Sequence, residues 1–417
     1  MIQAIRGTKD LLPEVIRQWQ FIENIFKTVS DKYGYNELRT PIFEKTEVFS
    51  RGIGEGTDVV NKEMYTFKDR SDNSITLRPE MTASLVRAVL QDSLHTKQST
   101  NRLWYFGPFF RYERPQKGRQ RQFHQFGAEC ISPLYPESDV EVIMLADDVV
   151  KTAGIKDYKL LLNTLGTVET RKRYKTALTE YLHSIKDTLS QDSQNRLDNN
   201  PLRVLDSKAP QDKEAVKNAP VILDYLDAES AEHFEKVKEL LAVTDINVEI
   251  SPMLVRGLDY YCHTVFEFQS SALGAQDAFG GGGRYNGLFQ QLGSKKEVPA
   301  VGFAMGVERL LLILEASEEF KLESDAPDVF VAATDVDYIK QAQITASKLR
   351  GKGLKVIVDL HRRSIKAQMR EANKINSRFS IVIGENEIET NKINIKNMTK
   401  SEQSEYPLDT IENFDFK

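Results

Sequence analysis

Side chains able to do chemistry are concentrated in a few short stretches. In FRYERPQKGRQRQFHQFGAE (110–129), residues two apart on a strand share a face. This alternation groups Phe109, Arg111 and Glu113 on one strand, and Phe123, Gln125, Gly127 and Glu129 on the next. An arginine, two carboxylates and an amide facing one way are costly to bury unless they bind each other or a polar ligand. The intervening Arg114, Lys117, Arg119 and Arg121 suit polyphosphate or RNA phosphates. On spacing alone, a solvated hairpin whose charges pair internally is the ordinary reading. Arg309, in the first turn of an otherwise apolar helix, gains nothing from the helix dipole, so it is either solvated or an anion ligand. In TLRPEMTASLVRAVL, Pro79 suits a helix start and Glu80 its first turn. Capping explains Glu80, but Glu80 and Thr82 could equally hold an ammonium group at the helix mouth. Four glycines at 280–283 match neither a Walker loop nor a dinucleotide fingerprint; they read as a flexible loop, as a tight bend, or as backbone approaching a ligand closely.

The elements that must position these groups follow from periodicity. LWYFGPFFRYE (103–113) and FHQFGAECI (123–131) read as the strands of a long hairpin. Residues 167–248 turn polar and helix-forming, with interruptions such as DNNPL, and read as an inserted helical domain. Strand signals return at 254–268, followed by a helix opening near Gly306 with Val307, Leu310, Leu311 and Leu314 on one face. After a linker at 323–328, DVFVAAT, GLKVIVDL and RFSIVIG read as apolar strands separated by helix-length segments, a small α/β domain. The expected fold class is α+β, with a core over 1–325, an insertion over 167–248 and a C-terminal domain over 326–417.

A chain of 417 residues exceeds one hydrophobic core. MIQAIRGTKD lacks the apolar run of a secretory signal and no stretch approaches 18 apolar residues, so the expectation is a cytoplasmic protein without a membrane span. Two distant cysteines and six histidines without ligand spacing argue against a disulfide framework and a structural metal. The net charge of −5 offers polyanions no global attraction, so any nucleic-acid contact must come from local patches. One is the hairpin loop. The other spans 338–378, with 11 Lys/Arg against 2 Asp/Glu, including Arg362, Arg363, Lys366 and Arg370. A solvated helix face is its ordinary explanation.

Taken together, the segments resemble class II aminoacyl-tRNA synthetases. FRYERPQKGRQRQFHQFGAE resembles motif 2, GFAMGVERLLLIL motif 3, and YGYNELRTPIFEKTEVFSR the motif 1 dimerisation segment. LVRGLDYY, FGGGGRY and the opening IRGTKDLLP are similar to segments of histidyl-tRNA synthetases, and the match covers nearly the whole chain. The resemblance implies an antiparallel sheet core flanked by helices, a helical insertion, a C-terminal α/β anticodon-binding domain and a homodimer. Its implied substrates are L-histidine, ATP with Mg²⁺ held mainly by the phosphates, and tRNA(His). Carried over residue by residue, Arg111 and Arg256 act on the α-phosphate, Glu113 sits near the adenine amino group, and Phe123 and Arg309 sandwich the ring. Arg119 and Arg121 reach the outer phosphates. Glu80 and Thr82 take the ammonium, Gln125 lies near the carboxylate, Glu129 and Tyr261 address the imidazole, and Tyr260 lines the pocket. The insertion would grip the acceptor arm. Met81 departs from the glycine many relatives carry, which touches packing near the ammonium site.

Three other readings are compatible with such a core: a noncatalytic regulatory subunit of ATP phosphoribosyltransferase, a ligase acylating another molecule, and an RNA sensor without catalysis. The arginine of LVRGLDYY and the basic C-terminal domain count against the first, the basic domain against the second and the intact arginine set against the third.

Overall fold

The computed structural model describes residues 2–54, 57–198, 200–274, 276–317, 320, 322 and 325–416. It divides into two compact units, Met1–Lys321 and Leu322–Lys417.

The first unit is built on an eight-stranded sheet. In spatial order its strands are Asn36–Glu37, Asn101–Phe110, Gln122–Ile131, Ala300–Gly306, Ala278–Arg284, Cys262–Gln269, Lys159–Thr164 and Val248–Ile250. The six central strands are antiparallel to their neighbours; both edge strands pair in parallel. Hairpin alternation sorts side chains between two cores. Trp104, Phe126, Phe266, Phe303 and Met305 meet the helices Pro13–Lys32, Pro136–Thr152, Ala228–Ala242 and Val307–Glu315 on one face. Leu103, Tyr105, Phe109, Ile131, Val265 and Tyr285 lie on the other, with the helix Thr82–Gln91.

The flanking helices follow from their sequences. Pro13 sits at the first helical position, where its missing N–H costs nothing. From there Trp19, Ile22, Ile25, Phe26 and Val29 recur at helical spacing and are all buried, each worth about 1.5–3 kcal/mol of transfer free energy. Pro136 opens its helix the same way, with Glu137 and Asp139 in the favourable first turn.

The expected insertion contains the helices Val168–Ser184, Gln191–Arg196, Leu202–Leu205 and Pro210–Ala215. Its last helix, Ala228–Ala242, belongs to the first unit's main core instead, burying Phe234, Val237 and Leu241 there. Asp227 closes the inserted loop. One carboxylate oxygen accepts from Thr167 Oγ1 (2.9 Å) and Thr170 Oγ1 (2.7 Å), the other from the Ser230 N–H (2.8 Å).

In the second unit the parallel strands Val356–Val358, Val329–Ala333 and Phe379–Ile383 form one half of a sheet, and Lys392–Asn397 and Gln403–Pro407 extend it antiparallel. The three apolar strands match expectation. The last two are polar, with half their residues facing solvent, and gave no apolar run to read. Of the four clustered cations, Arg362, Lys366 and Arg370 are exposed. Arg363 is not available as expected: its Nε donates to Asp359 (2.6 Å) and one terminal nitrogen to Glu371 (3.1 Å).

Candidate active site

Two cavities, of about 370 and 290 Å³, share Arg111, Glu113, Arg119, Gln125, Arg256 and Gly281 and form one continuous cleft on the sheet.

At the deep end lies Glu129, 1% exposed, on the Gln122–Ile131 strand. Its carboxylate accepts from the hydroxyls of Thr82 (2.9 Å) and Tyr285 (2.7 Å). Burial pushes its carboxyl up to about 8, with the two hydroxyl hydrogen bonds pulling in the other direction. The backbone makes room for it: a methyl carbon on Gly302, across the ladder from Glu129, would lie 1.5 Å from Oε2.

Glu80 stands beside it. The helix opens at Thr82 rather than at Pro79, so Glu80 precedes the first turn. Its carboxylate reaches forward and accepts the N–H groups of Thr82 (2.8 Å) and Ala83 (2.9 Å), which cap the helix. Burial raises its pKa, and those N–H groups offset part of the shift. Capping and ligand binding are therefore compatible, since a carboxylate has further lone pairs. The Tyr260 hydroxyl is 3.5 Å away.

The shallow end is cationic. Arg111 lies past the end of its strand, which stops at Phe110; its Nε donates to the Pro79 carbonyl (2.9 Å) and its guanidinium lies over Phe123, 5.3 Å from the ring centre. Glu113 pairs with Arg119 at 3.3 Å. Arg309 occupies the first turn of Val307–Glu315 as expected, donating to the carbonyls of Gly118 (3.2 Å), Gln276 (3.1 Å) and Ala278. With Phe123 it lines the same cavity. Arg256 donates to Glu267 (2.8 Å), with its guanidinium 5.8 Å from the Tyr261 ring centre.

The glycine run is neither a loop nor a bend. It is the body of the Ala278–Arg284 strand in mid-sheet. A methyl carbon on Gly281 would meet the Arg256 guanidinium at 2.7 Å, and one on Gly282 would meet the Gly302 carbonyl at 2.0 Å.

The cleft therefore gathers Glu80, Thr82, Arg111, Glu113, Arg119, Gln125, Glu129, Arg256, Tyr260 and Tyr261, together with Phe123 and Arg309. Arg121 lines neither cavity. Its guanidinium stacks on Tyr112 (4.1 Å), its backbone N–H donates to the Gly7 carbonyl (2.7 Å), and its side chain packs so closely on Gly7 that a methyl carbon there would meet Arg121 Cγ at 2.8 Å; these contacts with the N-terminal segment hold it away from the cleft. Sequence reasoning missed Tyr285, Tyr105, Glu267, Arg196 and Arg203. Tyr285 was within reach as the last residue of FGGGGRY; the two arginines look like ordinary solvated charges in a polar segment.

Comparison with known proteins agrees with this geometry. Residues 7–310 match the family model described as histidyl-tRNA synthetase, and 328–414 match that of an anticodon binding domain. A relative from Chlorobium luteolum named histidine–tRNA ligase is 46% identical over 411 residues, covering 98% of this chain and 96% of its own. One of the same name from Synechocystis is 48% identical over 410 residues, covering 98% and 91%. The solved structure of the S. aureus histidyl-tRNA synthetase is 37% identical, covers both chains fully and superposes with a TM-score of 0.83. A Bacillus halodurans structure described as an ATP phosphoribosyltransferase regulatory subunit/histidyl-tRNA synthetase shares the fold at 22% identity and a TM-score of 0.67. With the family model spanning most of the chain and full-length relatives at nearly half identity, this chain belongs to the histidyl-tRNA synthetase family.

Proposed function

We propose that this protein activates L-histidine with ATP and transfers it to the 3′ end of tRNA(His), releasing pyrophosphate and then AMP. The observation that carries the reading is a buried carboxylate, Glu129, fixed by two hydroxyls at the floor of a cleft whose mouth is lined by arginines. The floor fits a ring that donates N–H; the mouth fits phosphates.

In the first step a histidine carboxylate oxygen attacks the α-phosphorus of ATP. An O–P bond forms, the bond to the β-phosphate bridging oxygen breaks, and pyrophosphate leaves. Two anionic groups must approach while charge builds on phosphoryl oxygens, so positioning and cations matter more than a side-chain base. Arg111 and Arg256 supply the charge. Arg256 Nε is buried without a hydrogen-bond partner in the protein, which a phosphoryl or carboxylate oxygen would satisfy. Gln125 meets the histidine carboxylate. Glu80 binds its ammonium, helped by the lone pairs of Thr82 Oγ1 left over after it donates to Glu129. Glu129 and Tyr261 address the two ring nitrogens, with Tyr260 walling the pocket and Tyr285 holding Glu129. Phe123 and Arg309 sandwich adenine, Glu113 faces its amino group and Arg119 reaches the outer phosphates. Arg121 is withdrawn from that set.

Mg²⁺ enters with ATP as part of the substrate. Among the described residues no group of three or more His, Cys, Asp or Glu is placed to hold a metal. The phosphates would be its main ligands, with Glu113, Glu267 and Glu308 the carboxylates among the described residues lining that end of the cleft.

Residues 1–321 form the catalytic core, interrupted by the helical insertion that runs from 167 to Asp227, and 322–417 hold the anticodon-binding domain. A homodimer is favoured by exposed apolar side chains in the motif 1 segment and the small sheet it joins, including Ile42, Phe43 and Phe67. No helix among the described residues is long and apolar enough to cross a membrane, in keeping with a cytoplasmic enzyme. Pyrophosphate exchange into ATP with each of the twenty amino acids tests the whole reading. Exchange with histidine alone, abolished in Arg256→Ala, is expected; no exchange with any amino acid would move the protein to the regulatory or RNA-sensing class.

A further inference from the structure

The loop carrying Arg256, Tyr260 and Tyr261 has no helix or strand of its own between Leu254 and Tyr261. Such segments open at low free energy unless something outside them holds their backbone. Here two arginines of the helical insertion do so. Arg203, on the Leu202–Leu205 helix, donates from a terminal nitrogen to the Gly257 carbonyl (3.0 Å). Arg171, in the first turn of Val168–Ser184, donates to the Asp259 carbonyl (3.1 Å). The two carbonyls bracket Leu258 and lie between Arg256 and Tyr260. On the far side the Asp259 N–H donates to the Ile53 carbonyl (3.2 Å). The fit is close, because a methyl carbon on Gly257 would stand 2.9 Å from the Arg203 guanidinium.

We infer that Arg171 and Arg203 are positioning residues for amino-acid activation: the insertion fixes the backbone of the loop that delivers Arg256 and the two tyrosines to the cleft. Neither arginine needs to touch the reacting atoms. Charge-assisted hydrogen bonds to carbonyls are stronger than neutral ones, and each guanidinium keeps its direction through its planar fork. A loop held at two successive turns keeps Arg256 over its phosphoryl target, and displacing a catalytic group by about 1 Å can cost roughly a hundredfold in rate. The insertion thus serves the step that precedes tRNA, which a role confined to gripping the acceptor arm does not require. Arg203 also lines the cleft, so its carbonyl contact is made at the site rather than at a remote surface.

This inference rests on the proposed activity, and its test separates the two. Full-length Arg203→Ala, Arg203→Lys and Arg171→Ala are compared with wild type in histidine-dependent pyrophosphate exchange without tRNA, and in hydrogen–deuterium exchange of peptides spanning 253–263. Expected are a fall in exchange kcat of about tenfold or more for each alanine variant, with a smaller change in KM for ATP, and partial rescue in Arg203→Lys. Faster deuteration of 253–263 accompanies it, with the helix Val168–Ser184 as protected as before. Wild-type exchange kinetics together with a defect in tRNA charging alone would overturn the inference, as would unchanged protection of 253–263. If wild type itself shows no exchange with histidine, the activity fails instead, and the deuteration result still decides whether the arginines hold the loop. Should Arg203→Ala not fold, Arg203→Gln removes the charge and shortens the side chain while keeping a polar group, and answers the same two measurements.

Discussion

Glu129 sits where a carboxyl is least comfortable as an anion, and that discomfort is measurable. Its folded pKa of about 8 lies above the roughly 4.3 of an unfolded glutamate, so the native state keeps a proton that the unfolded chain releases. The stability this contributes is fully present below about pH 4.3 and is lost as pH rises through about 8. Glu129→Gln removes the titrating group. We therefore expect the variant to gain melting temperature relative to wild type at pH 8 and to gain little at pH 4.5, as calorimetric scans across that range would register; a pH-independent difference would exclude the buried acid as the cause. The same variant is expected to lose at least a hundredfold in kcat/KM for histidine, since a site built to pair a ring N–H discriminates by unpaired polar groups. Gly302→Ala probes the same carboxylate without changing it. The new methyl would collide with Oε2 and push Glu129 toward the cleft, so KM for histidine should rise about tenfold or more with kcat less affected. Wild-type KM in that variant would mean the carboxylate does not hold the substrate.

The elements that carry these residues differed in how plainly their sequences announced them. Hairpin alternation was legible because large apolar side chains at 103–109 and 126–131 fill both cores, which leaves the polar set facing the cleft. The glycine strand was not. Glycine is poor in strands, and only tertiary contacts, to Arg256 on its loop and across the sheet to Gly302, explain why nothing larger fits. The helix start at Thr82 was displaced from Pro79 because Glu80 caps from outside, a tertiary arrangement that composition does not encode. The insertion's edge was blurred for a related reason: Ala228–Ala242 is as polar on its outer face as the helices before it, and only its buried stripe assigns it to the main core. Asp227 marks the junction between the two. Burial would raise its pKa, but the Ser230 N–H and the hydroxyls of Thr170 and Thr167 hold its carboxyl well below the usual range. Asp227→Ala leaves those hydroxyls and the cap of Ala228–Ala242 without their acceptor, so limited proteolysis should cut within 185–226 several times faster than in wild type. An unchanged digestion pattern would show that the clasp does not tie the insertion.

At the scale of the molecule, two units have separate buried cores. Trp19 to Leu314 fill those of the first; Val329, Phe330, Ile381 and their neighbours fill those of the second. Every residue assigned to activation lies in the first unit, and the exposed cations Arg362, Lys366 and Arg370 lie in the second. A net charge of −5 means that tRNA is drawn by such patches and not by the protein as a whole. Activation and tRNA recognition should therefore separate on truncation. A chain ended at Lys321 is expected to retain histidine-dependent pyrophosphate exchange within a few fold, because no side chain of its cleft is lost. Its charging of tRNA(His) should fall by a hundredfold or more through KM, and the charging that remains should depend less steeply on salt, since fewer phosphate contacts release fewer counterions. Steady-state charging at several salt concentrations, with full-length and truncated protein side by side, reads both quantities. Equal charging by the truncated chain would place tRNA recognition entirely in the first unit and leave the C-terminal patch as a solvated face.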